Sequence, residues 1–368
     1  MALVQPSEPD AVAEVPARTR AIVAARLRPR VRDIDDGAYP ADLLRDLGMA
    51  GAFEQLHPGS ADLGTSIEAM AIVGEECLAT AFCVWCQDAL GWYIANTDNS
   101  SLRSEFQAGV ASGKILGGTG LSNPMKALSG IEALRLRGER TEGGWRVNGL
   151  LPWVSNLGDG HLFGICFADA AAPEHLVMAL ARCGDKGLAT HQNAHFIALE
   201  GTATVSVTFR EAFIPDAMVL ADPAAPFIRR IRAGFVLLQT GMALGLVRGA
   251  VALMRECDGT SESINAYLPS RPDDFDQAAA RLTDTIHILA RTPYESDTDY
   301  LRLVLQARLN GSELALATAQ SLMLHAGARG YIAGSAASRK LREAYFVAIV
   351  TPATKHLRKD IATLAAHQ

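Results

Sequence analysis

The chain has 368 residues, 49% of them hydrophobic and 20% charged, a composition that supports two or three folded domains and excludes a disordered chain. Its 34 basic and 40 acidic residues leave a net charge of -6, which argues against a nucleic-acid partner. No apolar run approaches the about 20 residues that span a bilayer, and Met1 to Pro16 lack the basic-then-apolar order of a signal peptide. A cytoplasmic protein with no membrane partner is expected.

From residue 17 to 113 the apolar spacing is helical. Tyr39 to Gly48 reads as a helix ended by glycine, Ser66–Thr80 and Thr80–Asn96 as two more, and Ser101–Ser112 as a short amphipathic one. The stretch 80–96 is apolar on all sides and is expected to be buried. It carries Cys83-Val-Trp-Cys86, a redox spacing placed in an apolar helix. The pair, like the scattered Cys77, Cys166, Cys183 and Cys257, is expected to pack as small hydrophobes. No zinc site is expected.

Between Ile115 and Leu220 the period shortens towards two. Leu134–Gly138 and Trp145–Gly149 alternate around the turn Glu142-Gly143-Gly144, which predicts a hairpin. His161–Phe167, Leu176–Ala181 and Thr202–Phe209 are further strands, making six to eight short strands in a barrel or sandwich. His191 and His195 have metal-ligand spacing but no companion acid, so no metal is expected. After Ala221-Asp222-Pro223 helical spacing returns in four long segments, 227–257, 275–290, 300–326 and 336–366, which predict an antiparallel four-helix bundle. The predicted fold is thus α+β and mostly α, with a helical domain over 1–114, a small β-domain over 115–222 and a helical bundle over 223–368.

Three stretches, in this order, resemble the acyl-CoA dehydrogenase family. Trp145–Gly149 runs through Leu150-Leu151-Pro152 into Trp153-Val154-Ser155-Asn156, similar to the family's β-domain signature. Gly201–Thr204 leads into Val207–Pro215, similar to the strand that exits towards the bundle, and Gly327-Ala328-Arg329-Gly330-Tyr331 with Arg342-Glu343-Ala344 is similar to the bundle's Gly-rich turn and Arg-Asp-Ala. The resemblance covers nearly the whole chain. It implies a small β-barrel between two helical parts, FAD as cofactor with FMN as the alternative, and a homotetramer or homodimer.

The resemblance also implies site residues. Gly120, Leu121, Ser122, Asn123 and Ser129 fall in the loop whose amides and hydroxyls face the flavin edge and phosphates, and a buried ring with polar edge atoms needs such fixed donors. Trp153, Val154 and Ser155 would lie beside the ring, with the tryptophan near its dimethylbenzene edge. Gln277 sits where a family glutamine does, and Gly327 is what remains of a Gly-Gly turn. Ser129 and Arg232 are candidates for substrate contact. The family's Arg-x-x-Phe motif has no clean counterpart; Arg271 stands in a proline-interrupted stretch.

The family's reaction needs a carboxylate over the ring, a general base that contributes about 10²–10⁴-fold. Thr351 falls at or within one place of the usual glutamate position, and Gly234, Phe235 and Val236 fill the alternative position. Glu256 and Glu343 read as exposed helix acids, and His356, between Lys355 and Arg358, as a surface histidine. Three functions follow. One is a dehydrogenase acting on an acyl thioester such as acyl-CoA, with an unidentified base and an electron-transfer protein as partner. Another is a monooxygenase of the same fold using reduced flavin from a flavin reductase and O₂, with His356 or Ser129 as proton donor and Thr351 near the reacting atoms. The third is a non-catalytic homologue with a scaffold or binding role.

Overall fold

In the computed structural model, residues 12–54 and 62–366 are described. Helices α1 (Val15–Ile22), α2 (Val31–Asp35), α3 (Ala41–Met49), α4 (Gly64–Glu76), α5 (Leu78–Asn96) and α6 (Ser100–Ala111) come first. Every residue of α5 from Leu78 to Ala95 is buried, as its all-round apolar sequence requires. Asn99 caps α6 by accepting from the Leu102 amide.

The strands follow: β1 (Gly117–Thr119), β2 (Arg137–Thr141), β3 (Gly144–Val154), β4 (Leu162–Asp169), β5 (Leu176–Arg182), β6 (Leu188–His191), β7 (Val205–Pro215) and β8 (Val219–Ala221). They form one sheet in the order β6-β7-β3-β2-β4-β5-β8, with β1 parallel to β4. The hairpin β2–β3 turns at Glu142-Gly143 as its sequence predicts. The sheet wraps its own apolar core, which includes Trp145, Val147, Phe163, Ile165, Phe167, Val177, Val207 and Phe209. Gly149 sits at a register shift in β3 with φ +136, where a side chain would fall 2.4 Å from the Arg135 carbonyl oxygen.

One segment departs from the loop expected over 120–129. Residues Ser122–Leu128 form a helix, α7. Pro124 lies in its first turn, where a backbone N–H is not needed.

The rest is helical: α8 (Ala224–Leu238), α9 (Thr240–Asn265), α10 (Pro272–Ala290), α11 (Thr298–Ala326), α12 (Ala336–Ile349) and α13 (Thr354–Ala366). The first and last expected bundle helices are each divided. Gln239 separates α8 from α9. Val350 leaves the helical region at ψ 138 two residues ahead of Pro352, whose missing amide could not continue the helix. Gly245 lets α9 cross α4 closely: a Cβ there would lie 2.3 Å from the Ala71 carbonyl oxygen. The expectation that no segment is long and apolar enough to cross a membrane needs correcting. Ala224–Gly259 is long and apolar enough by length and composition, yet 83% of its most apolar window is buried within the fold.

Candidate active site

A cavity of about 360 Å³ opens where the ends of β1 and β3 and the start of β7 meet α5, α7, α8 and α12. Its inner wall is aromatic. Phe82 and Trp85, one turn apart on α5, stack with ring centres 5.6 Å apart. Phe346 from α12 meets Phe82 edge-on at 4.6 Å, and Phe235 from α8 meets Trp85 at 5.1 Å. At the mouth Trp153, 49% exposed, packs edge-on against Phe196 at 5.5 Å.

Hydroxyls line the rest. Ser155 Oγ lies 2.6 Å from Thr204 Oγ1, which in turn lies 2.7 Å from Thr202 Oγ1. Thr119 Oγ1 pairs with the buried Tyr93 hydroxyl at 2.7 Å and accepts from the Leu121 amide. Across the cavity, Ser122 Oγ and Thr351 Oγ1 are 2.9 Å apart. Thr351 stands in the break between α12 and α13, and its carbonyl accepts from Gln239 Nε2 at 2.8 Å. Gln239 is oriented by the fully buried Arg308, which donates to Gln239 Oε1 at 2.9 Å and to the Val347 carbonyl at 2.7 Å. Asn156, at φ 62, locks the turn after Ser155 by donating to the Gly117 carbonyl and accepting from the Tyr39 hydroxyl.

Of the residues expected from the sequence, Ser122, Trp153, Ser155 and Thr351 line the cavity. Gly120 and Leu121 do not line it and serve as packing residues: the Gly120 amide bonds the Gly164 carbonyl, and Leu121 is buried. Val154 belongs to the sheet core. Asn123 is turned away from the cavity, with its amide donating to Glu132 and to the Ala133 carbonyl and its oxygen accepting from the Arg135 amide. Gln277 lines a different recess, with Arg248 and Asp284, and Gly327 ends α11 at φ +56.

Ser129, His356 and Arg232 meet in a second polar group beside the cavity. His356 is not at the surface; it is 3% exposed on α13, which packs against α11 and bonds Ser129 at the end of α7. Its Nε2 lies 2.7 Å from Ser129 Oγ and 3.2 Å from Asp360 Oδ2. Arg232 pairs with Asp360 at 2.5 Å. Burial opposes the charge on Asp360, yet hydrogen bonding from His356 and the nearby Arg232 hold its carboxyl below the usual range. Glu343 is likewise buried rather than exposed, accepting from the Leu78 amide and lying 3.4 Å from Lys340. Glu256 is exposed. Cys83 and Cys86 are fully buried, and burial pushes both thiols up. His191 lies on β6, and His195, 92% exposed, faces Glu200.

Several lining residues escaped the sequence reading: Thr119, Lys126, Phe196, Thr204, Phe82, Trp85 and Phe346; Phe235, which the resemblance set at the alternative base position, does line the cavity. The apolar character of α5 signalled burial for Phe82 and Trp85, but period alone does not say which buried ring faces a cavity.

No model of a known protein family matches the chain. It is 23% identical over 236 residues to the benzylmalonyl-CoA dehydrogenase of Aromatoleum aromaticum, spanning 61% of this chain and 62% of that enzyme, under two thirds of its length. The butyryl-CoA dehydrogenase of Megasphaera elsdenii superposes over 100% of both chains with a TM-score of 0.81 at 15% identity. A glutaryl-CoA dehydrogenase of Mycobacterium smegmatis in complex with FADH₂ gives 0.73 at 16% identity, over 98% of this chain and 97% of the other. A dibenzothiophene monooxygenase of Paenibacillus gives 0.77 at 14%, over 98% of each.

Proposed function

We propose that this chain, which has the fold of the acyl-CoA dehydrogenases and of flavin monooxygenases related to them, is a flavin-dependent oxidoreductase that works without a carboxylate base and oxygenates its substrate. The observation that carries the reading is Thr351, hydrogen-bonded to Ser122 in the cavity wall, at or within one place of where the sequence resemblance implies a glutamate. Among the described lining residues there is no Asp, Glu or His.

The cavity fits a flat heteroaromatic ring. Its size falls in the range of about 300–1,000 Å³ usual for small-molecule sites, one wall is aromatic, and hydroxyls are available for polar edge atoms. Trp153, Ser155, Thr204, Thr119 and Ser122 would hold FAD, or FMN as the alternative; similarity to a chain crystallised with FADH₂ supports this choice. When bound and reduced, the flavin supplies two electrons to O₂. Phe82, Trp85, Phe235 and Phe346 exclude water and pack an apolar substrate. The Ser122–Thr351 hydroxyl pair can orient a polar atom and pass a proton along, but neutral hydroxyls cannot keep one, which disfavours α-proton abstraction. Ser129, held by His356 and Asp360, stands seven residues beyond Ser122 at the C-terminal end of α7 and outside the described cavity lining.

A second reading, dehydrogenation of an acyl-CoA, is supported by the similarity to benzylmalonyl-CoA dehydrogenase. A flavin reductase would be the partner in the first reading and an electron-transfer protein in the second. Assembly into a homodimer or homotetramer belongs to both readings. Tyr267 and Tyr331, 86% and 87% exposed, offer apolar surface at the end of the bundle where Asn265 bonds the His325 carbonyl.

The two readings separate in one experiment. With NADH and a flavin reductase, substrate-dependent O₂ uptake is expected, and an acyl-CoA added without oxygen should leave the flavin spectrum unchanged. Anaerobic bleaching by an acyl-CoA would overturn the monooxygenase reading. A protein that takes up no flavin and responds to neither would be a scaffold.

A further inference from the structure

Ser122, Lys126 and Ser129 are spaced i, i+4 and i+7 and so form one stripe along α7. Ser122 meets Thr351 and Ser129 meets His356 and Asp360, while Lys126, between them, lines the cavity. It is the one charged side chain among the described lining residues. Its nearest acid is Glu132, with 3.8 Å from Nζ to Oε1, and that oxygen already accepts from Asn123 Nδ2 at 2.8 Å. At that separation, with the two side chains 33% and 29% exposed, the pair neutralises little of the charge. Lys359 adds positive potential nearby, since its Nζ donates to the Ser129 carbonyl at 2.6 Å. Phe82, Trp85, Phe235 and Phe346 form the apolar side of the same cavity. A cation beside low-dielectric walls attracts an anion more strongly than the same cation in water.

We propose that Lys126, with Ser122, is an anion subsite: it takes a carboxylate or phosphate whose apolar body packs on the aromatic wall. The inference deepens the flavin reading and rests on it for one of two sources of the anion, the flavin phosphate; the other source is an aryl or acyl carboxylate substrate. Trp85 and Trp153 lie in the cavity walls and report binding by their fluorescence without any activity assay.

The apoprotein is titrated with two pairs of probes, FMN against riboflavin and 3-phenylpropionate against 3-phenylpropan-1-ol, in wild type, Lys126→Met and Lys126→Arg. Wild type is expected to prefer the charged member of at least one pair by about tenfold, equivalent to about 1.4 kcal/mol. Lys126→Met loses that preference and Lys126→Arg keeps it. Preference for FMN assigns the flavin phosphate as the anion, and preference for phenylpropionate assigns the substrate. The proposal is overturned if wild type shows no charge preference in either pair, or if Lys126→Met retains it. Equal binding of FMN and riboflavin with no preference in the other pair sinks the anion subsite and leaves the flavin reading standing. Preference for phenylpropionate with no flavin binding does the reverse.

Discussion

Replacing Arg308 with alanine is expected to lower unfolding stability by about 2–4 kcal/mol. The side chain is fully buried on α11, and none of its hydrogen-bond partners is a carboxylate. Its guanidinium bonds Gln239 Oε1, the Val347 carbonyl and Ser312 Oγ. Truncation strands Gln239 Oε1 in the interior, at about 1–3 kcal/mol, leaves the Val347 carbonyl only a long 3.4 Å bond from Ser312 Oγ, and opens a large void. One term runs the other way. Burial disfavours the guanidinium charge and pushes its pKa down to about 10, and the mutation removes that cost. Arg308→Met fills the void without restoring the charge and should lose less than Arg308→Ala. Denaturant midpoints of the two variants test the ranking; an unchanged midpoint for Arg308→Ala would contradict it. Because Gln239 also fixes the Thr351 carbonyl, the same variant should loosen the cavity wall at Thr351.

The opposite sign is expected at Asp88. This residue is fully buried in α5, and neither carboxyl oxygen has a hydrogen-bond partner. Burial raises its pKa well above the usual carboxylate value. The folded chain therefore holds a proton that the unfolded chain gives up near pH 4. Above that pH the unfolded state binds fewer protons, so stability falls as pH rises, by about 1.4 kcal/mol per pH unit, until the buried acid ionises. Below the unfolded pKa the penalty is absent. Asp88→Asn has nearly the same shape and no ionisable proton. It should be more stable than wild type at pH 8 by at least about 1–2 kcal/mol, with the difference shrinking towards pH 4. Thermal midpoints at pH 4, 6 and 8 check this. A variant less stable than wild type at pH 8, or a difference that does not change with pH, would contradict the account.

Much of the fold was legible because its signals are local. Alternation around Glu142-Gly143-Gly144 specifies the β2–β3 hairpin, and the apolar run in α5 specifies its burial. Where reading failed, tertiary contacts decided. Residues 120–129 carry loop-like Gly, Ser, Asn and Pro, yet Asn123 spends its side chain on Glu132, Ala133 and Arg135, and the chain coils into α7. His356 stands among Lys355 and Arg358 in sequence but faces inward. Its i,i+4 partner Asp360 was the available sign, as Arg339 and Lys340 were for the buried Glu343. At the candidate site, Trp153, Ser155, Ser122 and Thr351 could be placed through the resemblance. Thr204 and Phe196 come from segments that only folding brings to the site, and Lys126, although within 120–129, shares a face with Ser122 only because that stretch is helical. Pro352 gave the clue to the break that carries Thr351 into the cavity wall, a break invisible to helical periodicity over 336–366.

On the proposed function, a flavin ring lodges between Trp153, the Ser155–Thr204 hydroxyls and the aromatic wall. Titrating the apoprotein with FAD and with FMN and recording the visible flavin spectrum tests it directly. Saturable binding with a perturbed flavin band is expected, weakened at least about tenfold, or about 1.4 kcal/mol, in Trp153→Ala. No uptake of either flavin at high concentration, or equal uptake by a Trp153→Ala variant that remains folded, would contradict it.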